Sequence, residues 1–514
     1  MQKFFKTVAV VTAFSVIEKF LGFLYRVYLS RSIGAEGVGL YQVALSVFAL
    51  LLTLSCSGTP VTVSRFITKY RAEGKKEKIH KIVSAGIIVS FSVAVLLCAL
   101  FFALKDNLNF LFSDVRTKRI FIVVLPGLIF TSVYAVLKGV FWGNKSFLPY
   151  SVLELLEEVC MIITGVALII PVTDAYAGAY RAGIAVLVSY VFSFLLSVAY
   201  FFFKGGRLVP PKEELKPLLA SATPVTAMRT VNSLAVSLVS VILPMRLLAA
   251  GYTESQAMTV FGSAVGEAIP LLFIPTTLIG SFTLVLVPEI SENYYKKNYA
   301  VLKTDVERSL KFSTAFATLF VPIFCVCGEE IGVLIFGSAL CGEYLSASAF
   351  LMIFMNISSI STSILNSVGF ENKTMLFFIV SSVFMLVSTW VLPKFIGVYA
   401  LLVGFTFVYG LTSVLNLLLL EKKCGIKPKY KAHLLKTVLA AIPSVLFGLM
   451  VEKMLIKVFG TFLTFLFTSM LCGAFTLALF FGFGVIDIGF IFGRIKKKDG
   501  KRRLKKLKPV KTKN

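Results

Sequence analysis

Long apolar runs separated by short polar gaps dominate the pattern of residues along the chain. A helix that crosses a membrane needs about 20 mainly apolar residues, because it rises about 1.5 Å per residue through a hydrocarbon core about 30 Å thick. On this criterion the pattern predicts fourteen spans, at residues 5–29, 40–67, 82–104, 120–141, 148–171, 182–203, 217–243, 259–289, 311–335, 345–368, 374–392, 397–420, 434–456 and 461–484. We therefore expect an all-α polytopic membrane protein.

The basic residues of the gaps predict which side of the membrane each gap faces. If both termini are cytoplasmic, the cytoplasmic segments hold 37 of the 52 Lys and Arg residues, the outer segments hold 10, and five lie within spans. Lysine and arginine collect in short cytoplasmic loops, so this asymmetry supports the count and the orientation together. We expect a multi-pass protein of the bacterial cytoplasmic membrane.

Weak internal repeats indicate two related halves. Gly139–Ser146 (GVFWGNKS) resembles Gly369–Thr374 (GFENKT), and the gap after span one resembles the gap after span seven. Repeated halves are typical of transporters that hold their substrate where the halves meet. We expect a six-helix lobe at 1–210, a second at 211–425, two further spans at 426–486 and a basic cytoplasmic tail at 487–514.

Composition agrees with a membrane protein, and the location of the charge changes its meaning. The 514 residues are 57% hydrophobic and only 15% charged, yet the net charge is +26. Twelve of the basic residues lie between Arg494 and Lys513, directly after the last span. We interpret this tail as a segment that binds anionic membrane lipids and not nucleic acid.

The sequence offers little of the chemistry that an enzyme needs. The two histidines, His80 and His433, fall in predicted cytoplasmic loops, the eight cysteines are scattered, and no nucleotide-binding GxxxxGK[ST] motif is present. Internal loops reach about twenty residues at most, too short for a soluble catalytic domain. We expect no enzyme activity, no metal and no cofactor, and any active transport would use an H⁺ or Na⁺ gradient.

Span one carries three charged side chains, Glu18, Lys19 and Arg26. An ionised side chain at the bilayer centre costs about 2.5–3.5 kcal/mol, so these groups must face protein or water. At about 100° per residue, Lys19, Gly22 and Arg26 share one helix face with Glu18 on its flank. We interpret this face as the lining of a water-filled cavity. The alternative is a structural ion pair of Glu18 with Lys19 or Arg26.

Two similar segments place arginines in spans two and seven. Arg65 ends Gly58-Thr-Pro-Val-Thr-Val-Ser-Arg65, and Arg229 ends Ala222-Thr-Pro-Val-Thr-Ala-Met-Arg229, with Asn232 one turn further on. Arg229 lies deeper, so we interpret it as exposed to the cavity. For Arg65, extension of the side chain to the cytoplasmic headgroups is an equally good interpretation.

Glu267 lies in the middle of span eight, before Pro270 and Pro275. Prolines break helices, and broken helices in membranes occur where they line protein or a cavity. Glu267 is therefore our candidate for a protonatable or ion-coupling group, and a buried neutral glutamate bonded to a neighbouring helix is the alternative. Glu154, Glu157 and Glu158 begin span five, and we expect them at its cytoplasmic edge.

The residues described so far resemble the stage V sporulation protein B family, in the polysaccharide-exporter branch of the multidrug/oligosaccharidyl-lipid/polysaccharide exporter superfamily. The similar segments are Gly22–Arg26, the outer loop Ile33–Gln42, Thr59–Arg65, Ala250-Gly251, Phe261-Gly262, Ile274-Pro275 and Leu286–Ser291. The resemblance implies two six-helix lobes around a cavity, with cavity arginines that hold a pyrophosphate. Arg26 and Arg65 match the family's arginines, and Lys19 stands where relatives often have Arg. Gram-negative relatives carry an Arg in span eight that is absent here.

Taken together, the sequence predicts a flippase that moves an undecaprenyl-pyrophosphate-linked saccharide, lipid II or a related cell-wall or spore-cortex precursor, by alternating access. Arg26, Arg229, Arg65, Lys19 and Asn232 are the candidate substrate-binding residues, and Glu267 and Glu18 the candidate coupling or gating residues. We expect a monomer. The alternatives are a drug/cation antiporter of the same superfamily, an exporter of teichoic-acid or capsule precursors, and a scaffold without transport activity.

Overall fold

Helices form almost all of the part of the chain that the structure describes. The structure is a computed structural model and describes residues 2–170, 172, 174–211, 213–424 and 429–485, in which no β-strand occurs. The first ten helices are α1 (Gln2–Cys56), α2 (Thr59–Ala72), α3 (Lys76–Leu104), α4 (Val115–Val124), α5 (Gly127–Gly143), α6 (Phe147–Ile169), α7 (Ala175–Phe203), α8 (Leu215–Ala249), α9 (Glu254–Phe261) and α10 (Ile269–Tyr295). The predicted tail, 487–514, lies outside the described residues.

The second half of the chain is helical in the same way. Its helices are α11 (Tyr299–Val326), α12 (Gly328–Phe336), α13 (Ala339–Ser348), α14 (Leu351–Ser367), α15 (Glu371–Val391), α16 (Pro393–Ile396), α17 (Tyr399–Phe405), α18 (Thr412–Cys424), α19 (Lys429–Leu455) and α20 (Thr461–Gly482). A 3₁₀ turn covers Asn107–Leu111, and two π-helical segments, Gly262–Ala268 and Thr406–Leu411, continue α9 and α17 directly into the helices that follow them.

The predicted loop at Ile33–Gln42 is helical, which corrects the sequence analysis. Within α1 only Gly34 leaves helical geometry, with φ 69° and ψ 172°. A Cβ at Gly34 would meet no other atom within 4 Å, so the backbone angle and not crowding requires glycine here. The other residues of this segment are helical, so the predicted loop is instead a kink in α1 at Gly34.

The structure contains ten helical segments long and apolar enough to cross a membrane, or twelve when each of two bent helix pairs counts as one span, within the described residues. The two pairs are α4 with α5, bent by 46°, and α13 with α14, bent by 60°. Two differences explain why this count of twelve is lower than the fourteen predicted spans. The segment Ala13–Ala72 is 60 residues long, enough for two crossings, and α6 carries three glutamates. The polytopic all-α fold class is confirmed.

The chain divides into two compact units. The first unit comprises residues 1–273, 329–345 and 372–412, and the second comprises 274–328, 346–371 and 413–514. These units do not coincide with the predicted lobes, whose division stays a prediction. In the first unit, α2, α3, α5, α6, α7 and α8 contribute to a buried cluster that includes Ile67, Ile82, Tyr134, Leu137 and Leu218.

The second unit packs α11 against α14, α19 and α20. Ala315, Ala440, Phe480 and Val485 form its buried cluster. Small and hydroxyl-bearing residues lie at these helix contacts, because transmembrane helices approach closely only where side chains are small. Apolar side chains on the other face of α20, such as Phe462, Phe467 and Met470, are exposed, as expected of a surface that faces lipid.

Helices α2, α5 and α7 end in the same local structure. In each, a backbone N–H just beyond the helix end donates a hydrogen bond to the carbonyl five residues earlier. The pairs are Lys75 to Tyr70, Ser146 to Phe141 and Gly206 to Phe201. The residue before each donor has a left-handed backbone: Gly74, Lys145 and Gly205. This arrangement satisfies the carbonyls that a helix end leaves without partners.

Candidate functional site

The second half of α1 and the π-helical segment Gly262–Ala268 are in close contact within the first unit. A Cβ on Gly262 would lie 2.8 Å from the backbone nitrogen of Gly39, and a Cβ on Gly39 would lie 3.2 Å from the backbone nitrogen of Gly262. Both positions therefore require glycine because the two backbones approach closely. This contact fixes where the π-helical segment lies relative to the charged residues of α1.

Arg26 is anchored to this π-helical segment. Its Nη1 donates a hydrogen bond of 3.0 Å to the carbonyl oxygen of Gly266. A π-helical turn contains one residue more than an α-helical turn and leaves carbonyls without their usual partners, and such segments are frequent at functional sites. One of the five guanidinium N–H groups is used in this bond, which leaves the others available.

Glu267 is fully buried next to this contact. Its carboxylate accepts a hydrogen bond of 2.6 Å from the Ser30 hydroxyl, one helical turn after Arg26. The hydroxyls of Ser263 and Ser338 also lie close to the carboxylate, and they are 3.3 Å from each other. Glu267 therefore lies among three serines, and the ion pairs of the described residues do not include it. The arrangement suits a carboxyl that exchanges a proton or binds a cation.

Arg229 and Arg65 form reciprocal contacts between α8 and the break between α1 and α2. The Arg229 Nη1 donates to the carbonyl of Ser57 at 2.8 Å, and the Arg65 guanidinium donates to the Ser221 hydroxyl. Ser57 directly precedes the segment that ends at Arg65, and Ser221 directly precedes the segment that ends at Arg229. Each arginine therefore binds the serine before the other arginine's segment. The backbone nitrogen of Gly58 completes the contact by donating to Thr226 Oγ1 at 3.1 Å.

The two Thr-Pro-Val-Thr segments singled out from the sequence thus lie against each other. Arg229 supplies a cation to the carbonyls at the end of α1, where the helix dipole is negative. This contact joins spans two and seven, whereas the predicted six-helix repeat relates span one to span seven. Arg65 and Arg229 are both exposed at their side chains.

The remaining predicted residues lie on the same helices but make fewer contacts. Lys19 and Asn232 are exposed, and Glu18 is half-buried. Glu18 lies within electrostatic range of Glu154, Lys138 and Lys19. The structure therefore brings Glu18 together with the acidic residues of α6 and Arg26 close to Glu267, while Arg229 and Arg65 lie at opposite ends of the contact between α8 and residues 57–65.

The sequence analysis missed the ion pair between Lys138 on α5 and Glu154 on α6. Lys138 Nζ lies 2.9 Å from Glu154 Oε1 and 4.5 Å from the centre of the Tyr134 ring. Glu158 packs on α1, since a Cβ at Gly22 would lie 2.9 Å from its Oε1. Lys138 and Glu154 are equally distant in sequence from Ser146, in the turn between the two helices, and this symmetric spacing could have predicted the pair.

Arg26 and Arg229 resemble each other in how their guanidinium groups are held. Each guanidinium is anchored through a single backbone carbonyl, and neither takes part in the ion pairs found among the described residues. Each therefore keeps both its charge and free donors, which is what binding of an anion needs. No group of three or more His, Cys, Asp or Glu side chains in the described part of the chain is placed to hold a metal ion.

Curated proteins of Bacillus subtilis (strain 168) are similar to this chain over most of its length. Stage V sporulation protein B is 27% identical over 352 residues, which cover 66% of this chain and 68% of that protein. The lipid II flippase MurJ is 22% identical over 507 residues, which cover 89% of each chain. The resemblance noted from the sequence is confirmed.

Solved structures show the same fold. The lipid II flippase MurJ in an inward closed conformation has a TM-score of 0.71 at 15% identity, covering 92% of this chain and 99% of the other. An inward-facing multidrug resistance MATE family transporter of the MOP superfamily has a TM-score of 0.67 at 16% identity, covering 79% and 94%. Residues 4–294 match the family described as "Polysaccharide biosynthesis protein". Because this match spans more than half of the chain, the protein belongs to the polysaccharide biosynthesis protein family.

Proposed function

We propose that this protein is a flippase that moves an undecaprenyl-pyrophosphate-linked saccharide across the bacterial cytoplasmic membrane by alternating access, and that it catalyses no chemical reaction. The observation that carries the proposal is the state of Arg26 and Arg229, two guanidinium groups on predicted spanning helices that are anchored to carbonyls and not neutralised by carboxylates. The similarity to a lipid II flippase over 89% of the chain supports the same substrate class.

The chemistry of the substrate explains why arginine is needed. A lipid pyrophosphate carries its charge out of water only if fixed donors replace its hydration shell. Guanidinium stays charged and presents a planar fork of donors to phosphate oxygens, whereas the ammonium group of lysine is a point charge. Arg26 and Arg229 bind the pyrophosphate in this proposal, and Arg65, Lys19 and Asn232 contribute further contacts.

The test of this function is complementation of cells depleted of their own lipid II flippase. We expect expression of this protein to restore growth and to restore exposure of lipid II at the outer face of the membrane, read as susceptibility of the precursor to an added degrading enzyme. The matched control is Arg26→Ala, brought to the same level in the membrane. Failure of the wild-type protein to rescue, at normal membrane expression, would contradict lipid II as the substrate and favour a teichoic-acid or capsule precursor.

A drug/cation antiporter of the same superfamily is the second candidate. The fold is shared with a MATE transporter, and Glu18, Glu154, Glu157 and Glu158 offer carboxylates near spanning helices. Lys138 compensates part of this charge through its ion pair with Glu154, and no aspartate lies in the fourteen predicted spans. An antiporter would confer resistance to cationic drugs in a strain that lacks its own exporters, while the proposed flippase would not.

The predicted organisation belongs to the same proposal. Two six-helix lobes, 1–210 and 211–425, surround the substrate, and both termini lie in the cytoplasm. Transport by a monomer is driven by an H⁺ or Na⁺ gradient through Glu267 and Glu18. Labelling of single cysteines introduced at Lys145 and at Lys105, which fall on opposite predicted sides, tests the orientation in intact cells.

The basic tail gives a separate prediction. Anionic lipids attract polybasic segments by about 1 kcal/mol for each basic residue near the surface, so we propose that the tail binds the inner leaflet. Deletion of Lys496–Asn514 should leave the fold intact and transport largely preserved, measured by complementation and by the amount of protein in the membrane. Complete loss of transport at normal expression would show that the tail takes part in transport itself.

A further inference from the structure

A basic cavity lies in the first unit, among residues that the proposed transport mechanism does not use. Its volume is about 540 Å³, within the range of about 300–1,000 Å³ typical of small-molecule sites. The polar residues that line it are Arg71, Lys76, His80, Asn144, Ser146 and Lys204. Among the described residues that line the cavity there is no aspartate or glutamate.

Three separate gaps of the chain meet at this cavity. Arg71 and Lys76 flank the turn between α2 and α3, Asn144 and Ser146 lie between α5 and α6, and Lys204 follows α7. These are the gaps that the charge pattern assigns to the cytoplasmic side. Their meeting in one place agrees with the predicted alternation of spans. The segment Gly143–Ser146 (GNKS), part of the predicted internal repeat, lies at this cavity.

Local structure places several hydrogen-bond donors at the cavity. Arg71 is fixed by bonds to the Gly143 carbonyl, at 3.2 Å, and to the Asn144 side chain. Helices α3 and α6 begin at the cavity, at Lys76 and directly after Ser146, and no side chain caps either N-terminus. Helix N-termini carry partial positive charge and free N–H groups, so they add to the attraction of the basic side chains for a phosphate.

The acidic residues near these loops are neutralised elsewhere. Glu73 accepts a hydrogen bond of 2.7 Å from Lys75, and Glu77 pairs with Lys81 at 3.2 Å. None of these four side chains lines the cavity. The positive charge of Arg71, Lys76 and Lys204 therefore remains without a counter-charge among the cavity-lining residues that the structure describes.

The rest of the lining is apolar and includes Leu137, Phe141 and Phe201. A site for a free anion needs no such surface, whereas an amphiphile presents a charged head and an apolar body together. Basic pockets between spanning helices on the cytoplasmic side bind anionic lipid headgroups. We propose that this cavity binds the phosphate headgroup of an anionic phospholipid of the inner leaflet, at a site separate from the transported lipid.

The test is lipid binding to the purified full-length protein, measured by native mass spectrometry with phosphatidylglycerol or phosphatidylcholine. We expect one phosphatidylglycerol to bind about tenfold more tightly than phosphatidylcholine. Because each basic residue contributes roughly fivefold in affinity, Lys76→Gln with Lys204→Gln should weaken phosphatidylglycerol binding about 25-fold. If the double variant does not fold, the single variant Lys204→Gln replaces it in the test. Because Lys204 is exposed after α7, this variant should fold and weaken phosphatidylglycerol binding about fivefold.

The matched control removes the same charge from two of the three loops that meet at the cavity, at residues that do not line it. Lys145→Gln with Arg207→Gln should bind phosphatidylglycerol within about twofold of the wild type. Equal loss in both double variants, or equal affinity of the wild type for the two lipids, would overturn the proposal. A third arm adds inorganic phosphate at tens of millimolar. If phosphate displaces the lipid completely and raises the melting temperature without lipid, the ligand is a free phosphate and the lipid assignment is wrong.

Discussion

Replacement of Arg26 or Arg229 by alanine should lower the flipping rate by about 10- to 100-fold, while the protein still reaches the membrane. A hydrogen bond to a charged group contributes about 1.5–3 kcal/mol, and each 1.4 kcal/mol corresponds to a factor of about ten. Arg26→Lys should restore part of the rate, because lysine keeps the charge but lacks the fork of donors. The measurement is precursor exposure at the outer face in depleted cells, normalised to protein in the membrane.

The structure supplies a matched control for each arginine. Ser30→Ala removes a contact between α1 and the π-helical segment one turn from Arg26, and Thr226→Val removes the hydroxyl that binds Gly58 beside Arg229. Neither variant removes a cation, so both should retain most of the transport rate. Normal flipping by both arginine variants would contradict the pyrophosphate clamp. Equal loss in the controls would show that packing, and not the guanidinium charge, explains the effect.

Glu267→Gln should abolish the dependence of transport on the ion gradient and leave the protein folded. The amide oxygen of glutamine can still accept the hydrogen bond from Ser30, but the side chain can neither exchange a proton nor carry the charge that attracts a cation. Glu267→Ala should also destabilise the protein, by about 1–3 kcal/mol, because it leaves buried hydroxyls without their acceptor. Transport into vesicles, with and without an imposed pH or Na⁺ gradient, separates coupling from stability.

The control for Glu267 lies in the short connection between α12 and α13. Ser338→Ala removes a neighbouring hydroxyl but keeps the carboxylate itself. This variant should retain gradient-dependent transport, although with a lower melting temperature. If Glu267→Gln transports with unchanged gradient dependence, Glu267 is a structural residue, and the half-buried Glu18 becomes the remaining coupling candidate.

The sequence predicted the helical fold well because apolar length and loop charge are strong signals in membranes. Every predicted span contains a helix of thirteen residues or more, and one predicted span is divided between the bent pair α4 and α5. The kink at Gly34 was interpreted as a loop, because a polar and glycine-rich segment has the same composition in either case. The 3.6-residue period does not reveal a single residue with a positive φ.

The site was predicted only in part, because single charged residues can be recognised in a sequence but their partners cannot. The charges of Glu18, Lys19, Arg26 and Glu267 stand out from apolar surroundings. The bond from Ser30 to Glu267 joins positions 237 residues apart, and serine in a spanning helix carries no signal of its own. The contact of Arg26 with Gly266 depends on a π-helical turn, and the pattern of apolar residues does not predict such a turn.

The π-helical segment has a consequence for comparing this chain with its relatives. It accommodates one residue more than α-helical geometry would, so α9 and α10 keep the relative orientation of a continuous α-helix that is one residue shorter. An alignment with a relative whose helix is uninterrupted therefore needs a one-residue gap between Phe261 and Ile269. Without this gap, the residues on one side of the π-helical segment are compared out of register with those of the relative.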